Sequence, residues 1–274
     1  MGPFLLVACA DTGFPPTPPA AEAALSYSIS GSVGDTAYRP LVGARVEIVS
    51  GGSAGTFALA REDSHYSLPG TFTGTVVLVA SQDGYVSQTK TVTPSSRPVS
   101  RPVESREYWV SFSLEKIGQS TLDIAGVYSM TLTAAGACDM LPEEARTRRY
   151  TATIVPSGPP THFVATLSDA RFFELPCFGP AETCRHNQFG IGLAGDDAGM
   201  YADFIEQIGE SESLVVSAAA QGTFGPSGIT ATLAGDLYHC PSEPYLIDQG
   251  TWVCQPGTGT WCSAQNHQLT LIRR

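Results

Sequence analysis

Cysteine and histidine carry the most chemistry per side chain, and this chain has seven of the first and five of the second. Cys138, Cys177, Cys184, Cys240, Cys254 and Cys262 all fall in the C-terminal half, while Cys9 stands apart near the N-terminus. Two chemistries suit the six. Cys184-Arg185-His186 and His239-Cys240 set thiols beside imidazoles, which zinc favours. But there is no CxxC pair, and no spacing matches a zinc finger. An even set of thiols in one half is instead what an oxidising compartment produces. Sequence alone does not choose among the pairings. Chain topology favours Cys177–Cys184 across a short loop and Cys240–Cys254 across a longer one. Cys138 follows the first strand of this half and Cys262 precedes the last, so a third bridge would pin those strands at one end. No metal and no cofactor is expected.

Catalytic patterns are missing elsewhere. Gly190-Ile191-Gly192-Leu193-Ala194-Gly195 matches GxGxxG, but a dinucleotide site needs a strand before it and a helix after it. Here the glycines sit inside an alternating strand, and the carboxylates of Asp196 and Asp197 follow in a turn. Asp196, Asp197 and Asp203 have no EF-hand spacing. There is no HExxH. Among the histidines, His162 and His267 read as opening strands, and His186 and His239 adjoin the expected bridges. Glu143-Glu144 lies in a polar loop. An enzyme is therefore not expected; a hydrolase on an unrecognised β-fold stays as the remote alternative. The aromatic residues offer more. Tyr238, Tyr245, Trp252 and Trp261 cluster around the last two bridges, in segments that read as loops. Such rings either form a rigid platform for sugars or peptides or pack over the disulfides as a small satellite core.

The elements that must position these residues are strands. Hydrophobic residues make up 42% and charged residues only 15%, with 28 Gly and 20 Pro in 274 residues. That balance favours many short strands joined by turns. Residues 25–117 alternate repeatedly: Tyr27, Ile29 and Val33; Val42, Ala44, Val46 and Ile48; Tyr108, Val110, Phe112 and Leu114. Turns fall at GDTAYRP, GGSAG and SQDG. An Ig-like or transthyretin-like β-sandwich is expected, with a long proline-rich insertion at 94–107. Residues 118–274 alternate again through Tyr128, Met130 and Leu132, then 149–155, 162–168, 188–195, 213–224, 228–238 and 267–273. These strands fit an antiparallel β-barrel or sandwich stapled by disulfides. MYADFIEQIG (200–209) reads as a short helix. The net charge of -11 repels phosphate backbones and anionic lipid, which excludes nucleic acid as a partner. No apolar run approaches the ~18 residues of a membrane span.

Three resemblances follow. Met1 to Ala8 is apolar like the tail end of a secretory signal, and Leu6-Val7-Ala8-Cys9 resembles the lipobox of bacterial lipoproteins. The apolar core is short and a basic region is missing. The resemblance implies a diacylglycerol on Cys9, with the Pro-rich stretch TGFPPTPPA completing a tether within residues 1–24. Gly31-x-Val33, Asp35, Pro40-Leu41-Val42-Gly43-Ala44-x-Val46, His65-Tyr66-Ser67-Leu68-Pro69-Gly70 and Gly84-Tyr85 resemble the carboxypeptidase regulatory-like domain over most of residues 27–93. His65 stands where that family has Gly. The family implies adhesion, display or carbohydrate-binding-like accessory roles, not peptidase activity. Gly126-x-Tyr128-x-x-Thr131-Leu132, Tyr150-Thr151-Ala152, Gly228-Ile229-x-Ala231 and Cys262-x4-His267-Gln268-Leu269-Thr270-Leu271 are similar to a lipocalin-like barrel domain of bacterial lipoproteins. The expectation is an exported, outer-membrane or cell-surface lipoprotein. It would be monomeric and non-catalytic, held to the membrane by its lipid, and would act by binding or scaffolding. Glycan, peptide or a small apolar molecule are the ligands to test.

Overall fold

The computed structural model describes residues 26–94, 106–118, 122–176, 183–242, 245–247, 251–254 and 257–274. The first domain holds β1 (Tyr27–Asp35), β2 (Arg45–Ser50), β3 (Phe57–Leu59), β4 (His65–Ser67), β5 (Val76–Ser81), β6 (Tyr85–Val86), β7 (Gln88–Val92), β8 (Arg106–Trp109) and β9 (Phe112–Lys116). They form two sheets, β3-β2-β5-β7 and β4-β1-β9-β6, with β8 also paired to β1. The inward residues are those the alternation selects: Tyr27, Ile29, Val33, Val46, Ile48, Tyr66, Leu78, Phe112 and Leu114 are all buried. Each contributes about 1.5–3 kcal/mol by leaving water. Val42, expected inward, is exposed; it sits in the turn before β2 rather than in the strand.

The second domain runs β10 (Gly126–Thr133), α1 (Glu143–Arg146), β11 (Thr147–Pro156), β12 (His162–Ser168), β13 (Arg171–Phe172), β14 (Glu174–Pro176), β15 (Thr183–Arg185), β16 (Gln188–Ala194), β17 (Asp197–Gln207), β18 (Ser213–Gly225), β19 (Gly228–Cys240), β20 (Tyr245–Ile247), β21 (Thr251–Val253) and β22 (Thr260–Arg273). Strands β10, β11, β12, β16, β17, β18, β19 and β22 pair in that spatial order. β22 returns to β10, so the antiparallel barrel closes and its main strands have no free edge. The interior mixes small and large side chains. Ala152, Ala165, Ala202, Ala218 and Ala231 lie among Tyr128, Met130, Phe163, Phe189 and Phe204, and all are buried in one core. A barrel of this size is just wide enough for side chains to fill.

Two local expectations change. Residues 200–209 are not a helix: β17 pairs along its length with β16 and β18, and Met200, Ala202 and Phe204 alternate into the core. The last strand begins at Thr260, not His267. Trp261 therefore stands on β22 rather than on a loop, in register with Tyr238 on β19, and Glu143-Glu144 opens α1. His267 is fully buried. Its Nδ1 accepts the Ala135 N–H at 3.0 Å, and its Nε2 lies 3.3 Å from the Gly235 carbonyl.

The expected bridges Cys138–Cys262 and Cys240–Cys254 are present, with Cα separations of 5.6 and 5.1 Å. Both sit at the barrel end that carries the long loops. Cys9 and Cys177 lie outside the described residues; Cys184 has its backbone in β15.

The glycine-rich strand has a structural purpose. The hairpin turn after β1, Asp35 to Arg39, inserts against the outer wall of β16–β18. Gly192 and Gly199 are register partners, and Gln221 stands next to Gly199. A Cβ on Gly192 would lie 1.9 Å from the Thr36 carbonyl oxygen, and one on Gly199 1.8 Å from that of Ala37. Only glycine admits so close an approach. Thr36 Oγ1 donates to the Leu193 carbonyl at 2.5 Å, and Gln221 Nε2 donates to the Ala37 carbonyl at 3.1 Å. Arg39 pairs with Asp35 within the turn and with Asp197 on the barrel. Tyr38 holds φ at 60°, a conformation that costs a side chain about 1–2 kcal/mol. Its ring packs edge-on against His162. Gly199→Val should destabilise this contact by about 1–3 kcal/mol through overpacking. The expected readout is faster proteolysis between the domains and a larger radius of gyration in small-angle scattering, with the β-sheet circular dichroism kept. An unchanged radius would show that the turn does not hold the domains together.

Candidate binding face

Four barrel strands present ordered rows on their outer wall. Ile205, Val215, Tyr238 and Trp261 are in register across β17, β18, β19 and β22. One step along the strands, Asp203, Ser217, Asp236 and Ser263 form a polar row. A further step brings exposed Tyr201 opposite Ala219. Successive rows on one face are about 6.6 Å apart, so the carboxylates lie between aromatic groups.

The two aromatic rings have separate environments. Tyr238 packs against the small cluster of Ile205, Val215 and Cys240, together with Phe173 and Cys254. It is thus part of a satellite core over the second disulfide. Trp261 stays 58% exposed. The rings are nearly parallel, 15° apart with centroids 6.3 Å from each other, a cross-strand aromatic pair. Asp236 fixes both: Trp261 Nε1 donates to its Oδ1 at 3.2 Å and Tyr238 OH to its Oδ2 at 3.4 Å. Burial first, then the Asp236 charge, push the Tyr238 hydroxyl above its ordinary pKa, which keeps it a donor. A carboxylate has about four acceptor positions, so Asp236 retains capacity for a ligand's hydroxyl. Burial also raises the Asp203 carboxyl, with His186 acting in the opposite direction.

Of the aromatic residues singled out by sequence, Tyr238 and Trp261 come together. Tyr245 and Trp252 contribute backbone to the β20–β21 hairpin, where Leu246 pairs with Trp252; their side chains lie outside the described set. Asp236 and Asp203 carry no motif. Their only sequence signal is a position two residues from Tyr238 and from Tyr201, on the same strand face. Two rim clefts compete with this wall. One, of about 380 Å³, is lined by Asp169, Arg171, Phe172, Asn187 and Gln207. Asp169 accepts from Thr151, and Asn187 donates to the Leu167 carbonyl at 2.8 Å, so both already serve the fold. The other is lined by Gly136, Glu143, Arg146 and Arg149 and has no aromatic side chain. Among the described residues, no three His, Cys, Asp or Glu side chains gather as a metal site.

The chain matches no known family model and no curated protein. Among the described residues, no helix is long and apolar enough to cross a membrane. The disulfides are compatible with export.

Proposed function

We propose that this chain is an exported, lipid-anchored, non-catalytic binding protein of the bacterial cell envelope, and that the outer wall of its barrel is the ligand face. The observation that carries the reading is the exposed Trp261, stacked with Tyr238 and hydrogen-bonded to Asp236. A lumen occupied by the chain's own side chains argues against the small apolar ligand that a lipocalin-like barrel implies. A saccharide suits the wall better: its C–H face stacks on an aromatic ring while its hydroxyls reach a carboxylate. The resemblance of residues 27–93 to the carboxypeptidase regulatory-like family supports an accessory role for the sandwich, and the lipobox-like Leu6-Val7-Ala8-Cys9 supports the anchor.

The binding test is a glycan array probed with the unacylated Cys9→Ala chain. At least one hit should weaken by about tenfold or more in Trp261→Ala, the loss of a hot-spot ring; if every hit keeps its strength, the wall is not the ligand face. The anchor is tested by labelling cells with a fatty-acid analogue. The wild-type chain should take up label and Cys9→Ala should not; equal labelling would exclude lipidation at Cys9.

A further inference from the structure

We infer that the sandwich carries a second saccharide-binding site, centred on Trp109 and independent of the barrel wall. Residues of β8 alternate, so with Tyr108 packed toward the core Trp109 faces outward, where it is 58% exposed. Its backbone pairs with Ser30 on β1, and Ser30 pairs in turn with Ser67 on β4. Yet its ring lies 5.1 Å from that of His65, also on β4, edge-on at 78°. The indole therefore extends across β1, above that strand's serines, to the far side. Trp109 Nε1 donates to Ser111 Oγ at 3.0 Å, and Ser32 Oγ donates to the same oxygen at 3.0 Å. His65 is held from behind by Asp63, whose Oδ2 lies 3.1 Å from Nδ1. Glu107 accepts from Ser30, and Lys90 Nζ donates to the Ser111 carbonyl at 2.6 Å.

The indole is thus held by Ser111 and His65, on a strand face that also carries the Ser30 and Ser32 hydroxyls and the Glu107 carboxylate. That chemistry selects the ligand. An apolar peptide or an acyl chain needs contiguous apolar area, and the serines of β1 deny it. A pyranose needs one flat aromatic patch with hydrogen-bonding groups around its rim, which is what Trp109 and its neighbours present. His65, which departs from the resembled family, is here one of the rim groups.

The test uses the full chain with Cys9→Ala and Trp261→Ala, which removes the barrel platform, titrated calorimetrically with gluco-, manno-, xylo- and chito-oligosaccharides. At least one should bind. Adding Trp109→Phe should hold affinity within about threefold, and Trp109→Ala should weaken it by about tenfold or more. The ring is exposed, so neither change threatens the core. The inference is overturned if no oligosaccharide binds while Trp109 is intact, or if Trp109→Ala binds as tightly as its parent. Binding at the barrel wall is measured separately, by the loss caused by Trp261→Ala in a chain that keeps Trp109.

Discussion

Glu206→Ala should lower the stability of the barrel by about 3–5 kcal/mol, the largest effect expected of any single substitution here. Glu206 is 1% exposed at the inner end of β17. Its carboxylate accepts from Arg148 Nε and from Tyr150 OH, both at 2.8 Å, and forms an ion pair with Arg148 Nη2. Arg148 Nη1 donates to the Glu144 carbonyl at 3.1 Å, which ties α1 to the same group. Burial first, then the Glu206 charge, raise the Tyr150 hydroxyl well above its ordinary pKa, so it remains a donor. Phe172 and Phe204 pack around the Tyr150 ring. Removing the carboxylate strands a guanidinium and a phenol in a largely dry site. Glu206→Gln keeps the shape and part of the bonding and should cost less. Replacing both partners by apolar residues, Glu206→Leu with Arg148→Met, should recover most of the loss, because neither then needs hydration. Urea unfolding of the three variants checks the order. If Glu206→Ala matches the wild type, the pair does not secure that end of the barrel.

Replacing Cys138 and Cys262 by alanine should cost about 2–4 kcal/mol, approaching 5 if the unfolded chain is fully expanded. The bridge spans 124 residues, against 14 for Cys240–Cys254. Chain entropy therefore predicts the greater loss for the first pair, with the second near 3 kcal/mol or below. The first bridge also ties the loop after β10 to β22, the strand that closes the barrel on β10. Denaturant midpoints of the two double-alanine variants decide it. A larger loss for Cys240 and Cys254 would mean that local packing over Phe173 and Tyr238 outweighs the constraint on the long loop.

Periodicity made the strands legible because one face of each is buried. Tyr128, Met130 and Leu132 stand out from their neighbours as plainly in the sequence as in the core. It misled where a charged residue is buried or the rhythm breaks. Glu206 occupies an inward position of β17 within 200–209, and nothing local shows that its partner is Arg148. Between Leu233 and Gly235 the register of β19 against β22 shifts, and the β22 alternation is disturbed before His267, so Trp261 read as loop. The GIGLAG strand was legible as a strand but not as a dock, because its partner turn lies far away in the chain and no local pattern links them. Cys138–Cys262 followed from topology, since β10 and β22 do pair antiparallel, and Cys240–Cys254 from the loop it brackets. The aromatic residues of the binding face announced themselves by type. Asp236 did not, because an aspartate on the outward face of an alternating strand looks like any other surface carboxylate.

On the proposed reading, ligand binds outside a filled barrel, on the Trp261 wall. The most direct measurement is a crystal structure of the unacylated chain with the array hit that Trp261→Ala weakens most. The expected result is a sugar ring stacked on Trp261, with a hydroxyl donating to Asp236 and the interior side chains Met130, Phe163 and Phe204 undisturbed. A ligand inside the lumen, with those side chains displaced to receive it, would contradict it.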